Sequence, residues 1–360
     1  MTELATPETQ PAAPIPPLAQ ARVVGPYAQT AIDTAAERGL SPARLAVTLG
    51  LPPESLAPAT ENLPVERYIR LLEVAAEACG DPLFGLHVGE RTRLSTFAVY
   101  GLVLCSCRSF RAATEQTRRF EGLAHDLGRS RIEEHGEVAH YVWESPWLTT
   151  LPSRHLPESV MAGILSFANW LAHTRVPVID VAFAHAAPDP ALIPAYEQFF
   201  GAPVRFDAPQ NCARFPAEIL DWPVPNADTS LFPVLARHAE QLLAAREREA
   251  RQPEIINAVR EKIVALLAHD SARLGDVADA LGSTPRTLQR KLAEAGTSYQ
   301  TVLDATRREL AEQYLREPGM TMTEVAFLLG YREQSSFNHA FRDWYGMTPA
   351  AWRERARSGS

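Results

Sequence analysis

Apolar residues recur with helical spacing along most of the chain, and the clearest pattern lies near its C-terminal end. A six-residue motif occurs twice there, as VADALG over 277–282 and as VAFLLG over 325–330, at an offset of 48. Leu288 and Leu292 recur as Phe337 and Phe341 at an offset of 49. The offset grows at the loop while the helical pattern is kept, which is typical of a duplicated supersecondary unit.

Each copy predicts two helices joined by a tight turn. In the second copy, Thr321 precedes the apolar run and Glu324 follows three residues later, which is the spacing of a capping box. In the first copy, Thr284 is placed to cap a helix and Pro285 fits the first helical position. We therefore predict helix-turn-helix units over about 274–295 and about 322–345.

The outer faces of the second helices carry the candidate DNA contacts. Leu288 and Leu292 share one face, which leaves a polar and basic outer face that suits a DNA major groove. The predicted DNA-binding residues are Arg286, Thr287, Gln289, Arg290 and Lys291 in the first unit, and Gln334, Ser336, Asn338, His339 and Arg342 in the second. Arginine suits guanine or phosphate, and glutamine suits adenine. Since the second set holds one arginine, we expect it to bind more weakly.

A single helix over 298–316 is expected to join the two units. Its predicted inner face consists of Val302, Leu303, Thr306, Leu310 and Tyr314. A helix of this length spans roughly 28 Å at 1.5 Å per residue, which is close to one turn of DNA, about 34 Å. We therefore expect one chain to contact two successive major grooves.

Two segments of this C-terminal part resemble the AraC/XylS transcription regulators. They are Ser283–Leu292, with the sequence STPRTLQRKL, and Ser335–Arg353, which contains SSFNHAFR, YGMTP and WR. The resemblance extends from about Asn257 to Arg355, although His339 stands where the family commonly has arginine. It implies double-stranded DNA and RNA polymerase as partners, and assembly as a homodimer.

The N-terminal part alternates predicted helices with short strands, so its predicted fold class is α+β. The predicted helices cover 23–60 with breaks at Gly39 and Gly50, 65–79, 96–107, 110–120, 157–174 and 190–200. The predicted strands cover 129–134 and 138–144 as a hairpin, and 178–185, 204–206 and 212–215. The C-terminal domain is predicted to be all-α, with two helix-turn-helix units joined by a long helix.

Three N-terminal segments resemble the arabinose-binding-like effector domain that is often paired with this DNA-binding unit. They are Tyr68–Pro82, Phe200–Phe206 and Leu220–Pro223, within a match over roughly 25–230. The resemblance implies a small-molecule effector. Polar residues on otherwise apolar elements are the candidate contacts, namely Arg119, Tyr141, Trp143 and Asn169. For each of them, core packing or a surface salt bridge is the alternative.

Proline content and charge divide the chain into four predicted segments. They are a disordered arm over 1–22, an effector domain over 23–236, a charged helical linker over 237–252, and a DNA-binding domain over 253–356 that begins at Pro253. The formal net charge of −8 falls on the part before Pro253, since residues 253–360 hold 14 basic and 14 acidic residues. DNA binding is therefore expected to depend on local basic clusters.

Catalytic and membrane signals are not found in the sequence. We find no His-Glu-x-x-His pair, no glycine-rich phosphate loop and no Gly-x-Ser-x-Gly elbow, and no apolar run long enough for a membrane span. We therefore expect no enzyme activity, no cofactor, no metal site and no membrane partner. The residues before Val23 lack a secretion signal, so the expected location is the cytoplasm.

The main interpretation is a sequence-specific transcription regulator, an activator controlled by a small-molecule effector. The alternative is a constitutive DNA-binding regulator whose N-terminal domain serves only dimerisation or protein contact. A third class, an enzyme fused to a DNA-binding domain, lacks a visible catalytic set.

Overall fold

The computed structural model describes residues 14–56, 62–250, 253–267, 272–317 and 319–358. The chain divides into two compact units, Met1–Arg246 and Glu247–Ser360. Of the arm predicted over 1–22, residues 1–13 lie outside the described part. Ala21 is fully buried and residue 22 begins a strand, so the end of the predicted arm belongs to the folded unit.

Helices form most of the N-terminal unit. The α-helices are α1 Gly25–Glu37, α2 Pro42–Thr48, α3 Val65–Cys79, α4 Phe84–Glu90, α5 Ala98–Cys105, α6 Phe110–Phe120, α7 His155–Ala172, α8 Ile193–Phe200 and α9 Phe232–Ala250, of which α9 continues past the unit boundary at Arg246. Short 3-10 helices cover Pro53–Leu56, Leu94–Phe97, Glu121–Leu123, Pro190–Leu192 and Ala217–Asp221. The predicted helices 65–79 and 110–120 are confirmed.

Two sheets complete this unit. The strands are β1 Arg22–Val23, β2 Leu63–Pro64, β3 Arg129–His135, β4 Val138–Glu144, β5 Asp180–Ala182, β6 Val204–Arg205 and β7 Asn211–Pro216. β1 and β2 pair with each other, and the other strands form a sheet in the order β3-β4-β7-β5-β6. All neighbours are antiparallel except β5 and β6. The predicted hairpin is confirmed, with Arg129 opposite Glu144 and His135 opposite Val138.

The core of this unit brings α4 very close to α7. A Cβ atom on Gly89 would overlap the Cβ of Ala162, and a Cβ on Gly163 would lie 2.8 Å from Thr92 Oγ1. Only glycine allows two backbones to approach so closely. The contact fixes Thr92 and Gly163 beside a small internal cavity that is described below.

The C-terminal unit is built from helices. They are α10 Glu254–Leu267, α11 Leu274–Ala280, α12 Pro285–Glu294, α13 Tyr299–Arg316, α14 Met322–Leu328, α15 Gln334–Tyr345 and α16 Pro349–Ser358. Each copy of the repeat has its own apolar core. Leu288 and Leu292 are buried in the first core, and Phe337 and Phe341 are buried in the second.

The connecting helix α13 is present as predicted, and the residues of its predicted inner face are buried or packed against the two cores. Val302 and Leu303 are buried in the first core, whereas Ala311 and Leu315 are the fully buried residues in the second. Of the other residues predicted to face inward, Thr306 is buried, and Leu310 and Tyr314 are partly buried and pack against the cores. The buried face rotates along α13 because its two halves pack against different cores.

Other boundaries also differ from the sequence-based expectations. The strand predicted over 178–185 is limited to Asp180–Ala182, and the helix predicted to start at Val23 begins at Gly25, because Val23 pairs with Leu63. The helix predicted over 96–107 begins at Ala98, after a 3-10 turn. Within the described residues, no helix combines the length and the apolar character that crossing a bilayer requires.

Candidate nucleic-acid interface

The first helix-turn-helix consists of α11 and α12. Gly282 has a φ of 59°, and the Ser283 amide donates to the Ala278 carbonyl at 2.9 Å, which closes the turn after α11. Thr284 Oγ1 accepts a hydrogen bond from the Thr287 amide at 3.2 Å and so caps α12. The buried Leu288 fixes which face of α12 points outward.

The second helix-turn-helix repeats this geometry. Gly330 has a φ of 70°, and the Tyr331 amide donates to the Ala326 carbonyl at 2.9 Å. The Thr321 amide donates to Glu324 Oε2 at 2.7 Å, while the Glu324 amide donates to Thr321 Oγ1 at 3.2 Å. This pair is the predicted capping box. Both turns therefore use the same hydrogen bond, 48 residues apart.

The outer face of α12 is polar and basic, as predicted. Arg286, Gln289, Arg290 and Lys291 are exposed, whereas Thr287 is half-buried and its hydroxyl lies 2.9 Å from that of Thr284. Arg290 Nη1 lies 2.6 Å from Glu294 Oε1 one turn further along. Sequence reasoning did not include Glu294, although its i, i+4 spacing from Arg290 is the signal for such a pair.

The predicted contact residues on the outer face of α15 are less uniformly exposed to solvent than those on α12. Ser336, His339 and Arg342 are exposed, and Asn338 is half-buried. Gln334, which was predicted to face outward, is half-buried and accepts a hydrogen bond from Thr323 Oγ1 at 2.9 Å. Because Gln334 is the first residue of α15, its amide can reach back to α14 and hold the two helices together.

Arg307 on α13 fixes the turn of the second unit. Its Nε donates to the Leu329 carbonyl at 3.0 Å, and its Nη2 donates to the Gly330 carbonyl at 3.4 Å. The guanidinium also lies 4.6 Å from the ring centre of Tyr331. Arg307 therefore positions α15 relative to the connecting helix. Sequence reasoning missed it, because its partners are backbone carbonyls distant in sequence.

The four predicted effector contacts do not come together. Arg119 Nη2 pairs with Glu240 Oε1 at 2.6 Å, and Asn169 Oδ1 accepts from the Val176 amide at 2.7 Å. Trp143 is fully buried, and its ring fills the space beside Gly128. Of the four, only Tyr141 lines the cavity. Arg119, Trp143 and Asn169 make the packing and polar contacts that the alternative expects, and their role in effector binding stays a prediction.

The cavity beside Tyr141 has a volume of about 30 Å³. Its walls come from α1, the segment from Thr92 to α5, the segment that begins with the 3-10 helix Glu121–Leu123, strand β4 and α7. The lining residues are Tyr27, Thr92, Phe97, Tyr100, Glu121, His125, Tyr141, Val160, Gly163 and Ile164. Sequence reasoning missed Glu121 and His125, because only the tertiary fold brings them next to Tyr27 and Tyr141.

A second polar group lies on the β3–β4 hairpin. Glu133, His135 and His140 each offer a ligand atom, and the three atoms lie within 4.8 Å of one another. Glu133 lies directly opposite His140 in the strand pairing. No metal site was predicted from the sequence, because regular spacing along the chain does not reveal ligands that two paired strands bring together. Arg131 Nε already binds Glu133 Oε1 at 2.7 Å.

Family models match both units of the chain. The arabinose-binding domain of AraC transcription regulators matches residues 39–224. A helix-turn-helix domain model matches residues 277–355. The two matches occur in the same order as the two compact units, and the second contains both α12 and α15.

Relatives align over nearly the whole chain. The ornithine utilization regulator of Pseudomonas aeruginosa is 30% identical over 91% of this chain and 95% of its own length. An HTH-type transcriptional regulator of Mycobacterium tuberculosis is 29% identical over 95% of this chain and 99% of its own. The crystal structure of the transcriptional regulator CdpR from Pseudomonas aeruginosa is 26% identical, covers 78% of this chain and 91% of its own, and has a TM-score of 0.38.

The proteins and domains that match are transcription regulators and not enzymes. The matched domains account for both compact units, and the helix-turn-helix match covers the duplicated units seen in the structure. The chain belongs to the AraC family of DNA-binding transcriptional regulators.

Proposed function

We propose that this regulator is an activator whose DNA binding is controlled by a small-molecule effector. The observation that carries the proposal is the pair of helix-turn-helix units with equivalent turns and two exposed polar helices in one chain. Such helices suit two major grooves. The N-terminal unit matches a domain family that is named for ligand binding. Its effector would bind one of two conformational states of the chain more tightly, and so favour the state in which the two helices are placed for DNA binding.

The proposed DNA contacts are those on the outer faces of α12 and α15. Arg286 and Arg290 would contact guanine or phosphate, and Gln289 would contact adenine. Thr287 and Lys291 would support the first contact. In the second groove, Ser336, Asn338, His339 and Arg342 would bind, with Gln334 at the start of the helix. The hydrogen bond of Gln334 to Thr323 makes it the least available of this set.

A small-molecule effector is supported by the N-terminal match and by one relative. The ornithine utilization regulator, which aligns over both units, bears the name of a small metabolite. That name describes the relative. For this chain, the name of the relative supports a small metabolite as the class of effector. Tyr141 is the predicted contact that lies at an internal cavity. Arg119, Trp143 and Asn169 would act only through packing and surface contacts.

Homodimerisation is proposed through α9. Val234 and Leu242 are 67% and 39% exposed, and they lie eight residues apart on one side of the helix, just after the exposed Leu231. A second chain with the same stripe would bury these side chains. RNA polymerase is the proposed partner in activation, and the cytoplasm, where the target DNA lies, is the proposed location.

The boundary at Pro253 is proposed to separate two independently folding domains.

The experiment that tests effector control uses the full chain and DNA sites selected by it from random sequence. Binding is measured by fluorescence anisotropy while small metabolites are added in turn, and thermal unfolding is recorded in parallel. Effector control predicts that at least one compound both raises the unfolding temperature and changes the Kd for DNA. If compounds raise the unfolding temperature but none changes the Kd or reporter transcription, the constitutive alternative is favoured.

A further inference from the structure

The internal cavity of the N-terminal unit has an unusual chemical lining. Three tyrosines, Tyr27, Tyr100 and Tyr141, surround a space of about 30 Å³ together with Glu121 and His125. A space of this size holds one or two water molecules, or a single small head group. The other lining residues are mostly apolar, so the polar groups determine what the space can hold.

Glu121 is the charged group of this cavity. It is 3% exposed, and its carboxylate accepts hydrogen bonds from the Ser130 amide at 2.8 Å and from the Ser130 hydroxyl at 2.6 Å. Both donors are neutral. Arg129 is close enough to favour the charged carboxylate, but it directs Nη2 to Asp126 Oδ1 at 3.1 Å. Burial is the larger effect and raises the pKa of Glu121. A buried carboxylate of this kind is stabilised by a cation.

The remaining walls favour an organic cation. The rings of Tyr27, Tyr100 and Tyr141 line the cavity, and the electron-rich face of a tyrosine ring attracts an ammonium group. His125 is 3% exposed, and burial lowers its pKa to about 3, so it is a neutral imidazole. Its Nδ1 has no hydrogen-bond partner within the described part of the chain. In the tautomer that carries its proton on Nε2, this nitrogen would accept a hydrogen bond from an ammonium N–H.

We propose that this cavity binds the ammonium group of a small amine, with Glu121 as its counter-ion, the three tyrosines as its aromatic wall and His125 as a hydrogen-bond acceptor. The inference rests on the proposed function only in assuming that the N-terminal unit takes a small-molecule effector. An anionic head group would be repelled by Glu121. A neutral one would add no positive charge beside the buried carboxylate, which then has only the more distant Arg129 as an opposite charge.

The test compares three small probes, of two or three non-hydrogen atoms each, on the full chain. Methylammonium chloride, methanol and sodium formate are added at matched ionic strength, with sodium chloride as the salt control, and thermal unfolding is followed by scanning calorimetry. Methylammonium alone should raise the unfolding temperature of the N-terminal unit, by roughly 2–5 °C at ten times its Kd. If methanol or formate raises it equally, or if methylammonium has no effect up to 100 mM, the inference is wrong.

A pair of variants assigns the binding to Glu121. Glu121→Gln keeps the size of the side chain but removes the charge, and it should weaken methylammonium binding at least tenfold. Glu115→Gln removes an exposed carboxylate from α6 and should leave binding unchanged. Full binding by a folded Glu121→Gln variant would overturn the assignment. If that variant does not fold, the comparison of the three probes on the unaltered chain still decides.

DNA binding separates this inference from the proposed function. If methylammonium binds, but neither it nor larger amines change the Kd for DNA, the amine site is supported and effector control is contradicted. If a carboxylate or a neutral metabolite changes the Kd for DNA and amines do not, the proposed function is supported and the amine site is contradicted.

Discussion

Replacing Arg290 by alanine should weaken DNA binding and relax base specificity in one half of the site. Arg290 lies on the exposed face of α12, and a bidentate contact with guanine contributes about 1–3 kcal/mol. In the free protein its Nη1 lies 2.6 Å from Glu294 Oε1, and both side chains are more than half exposed. An exposed pair of this kind contributes only about 0.3–0.5 kcal/mol. Because DNA binding must break this pair, the net loss in Arg290→Ala should be about 0.5–2.5 kcal/mol, a roughly 2- to 70-fold rise in Kd.

Replacing Glu294 by glutamine should have the opposite effect. The substitution removes the competitor for Arg290 and a negative charge near the DNA phosphates. DNA binding should tighten about twofold, and by more at low salt, where surface charges are less screened. In the Arg290→Ala background the same change should be smaller, because only the charge repulsion is then removed.

The assay is fluorescence anisotropy on the native site and on sites with base changes in either half, at 50 and 200 mM salt. His339→Ala, at the equivalent position of α15, is the comparison variant and should cost less than Arg290→Ala. A base contact by Arg290 is excluded if the Arg290→Ala variant discriminates the altered sites as well as the unaltered chain does. The weaker role given to α15 is excluded if His339→Ala relaxes base specificity more than Arg290→Ala does. Weaker binding by Glu294→Gln would refute the role given to the ion pair.

Three further predictions concern folding and assembly. Residues 253–360 should fold alone and bind DNA weakly; a circular dichroism spectrum without helix would place the boundary elsewhere. The full chain should sediment as a dimer at micromolar concentration, and Val234→Asp should yield a monomer; a monomeric unaltered chain, with and without DNA, would exclude the α9 contact. The unfolded chain protonates His125 near its usual pKa of 6.5, whereas burial and the fields of Arg129 and Arg246 keep it neutral in the folded unit down to a pKa of about 3. Its stabilising contribution is therefore complete above pH 6.5 and falls as the pH drops below it. Between pH 7.5 and 5, the free energy of unfolding should fall by about 2 kcal/mol less in His125→Gln than in the unaltered chain. It is measured by urea unfolding followed by tryptophan fluorescence. An unchanged pH dependence would contradict a buried, neutral His125.

Local patterns in the sequence were sufficient for much of the fold. Helix α3 ends where its apolar face ends, at Gly80 in a left-handed conformation, and the caps at Thr284 and Thr321 form as expected. These features depend on residues within a few positions of each other. The same is true of the outer face of α12, whose direction follows from Leu288 and Leu292.

The features that the sequence did not predict depend on contacts between distant residues. The buried face of α13 shifts to Ala311 because its second half packs on a different core. Arg119 is held by Glu240, which is 121 residues away, and Arg307 binds the turn at Gly330. Glu121 and His125 become cavity residues only when α7 and β4 close around them. No local pattern encodes these neighbours.

Hydroxyl-radical footprinting of the full chain on its selected site is the most direct test of the account. If α12 and α15 bind two successive major grooves, two protected windows should appear on one face of the duplex. Their centres should lie about 10 base pairs apart. Arg290→Ala should weaken one window, and His339→Ala should weaken the other to a smaller extent. A single protected window, or loss of the same window in both variants, would contradict DNA binding by two helices of one chain.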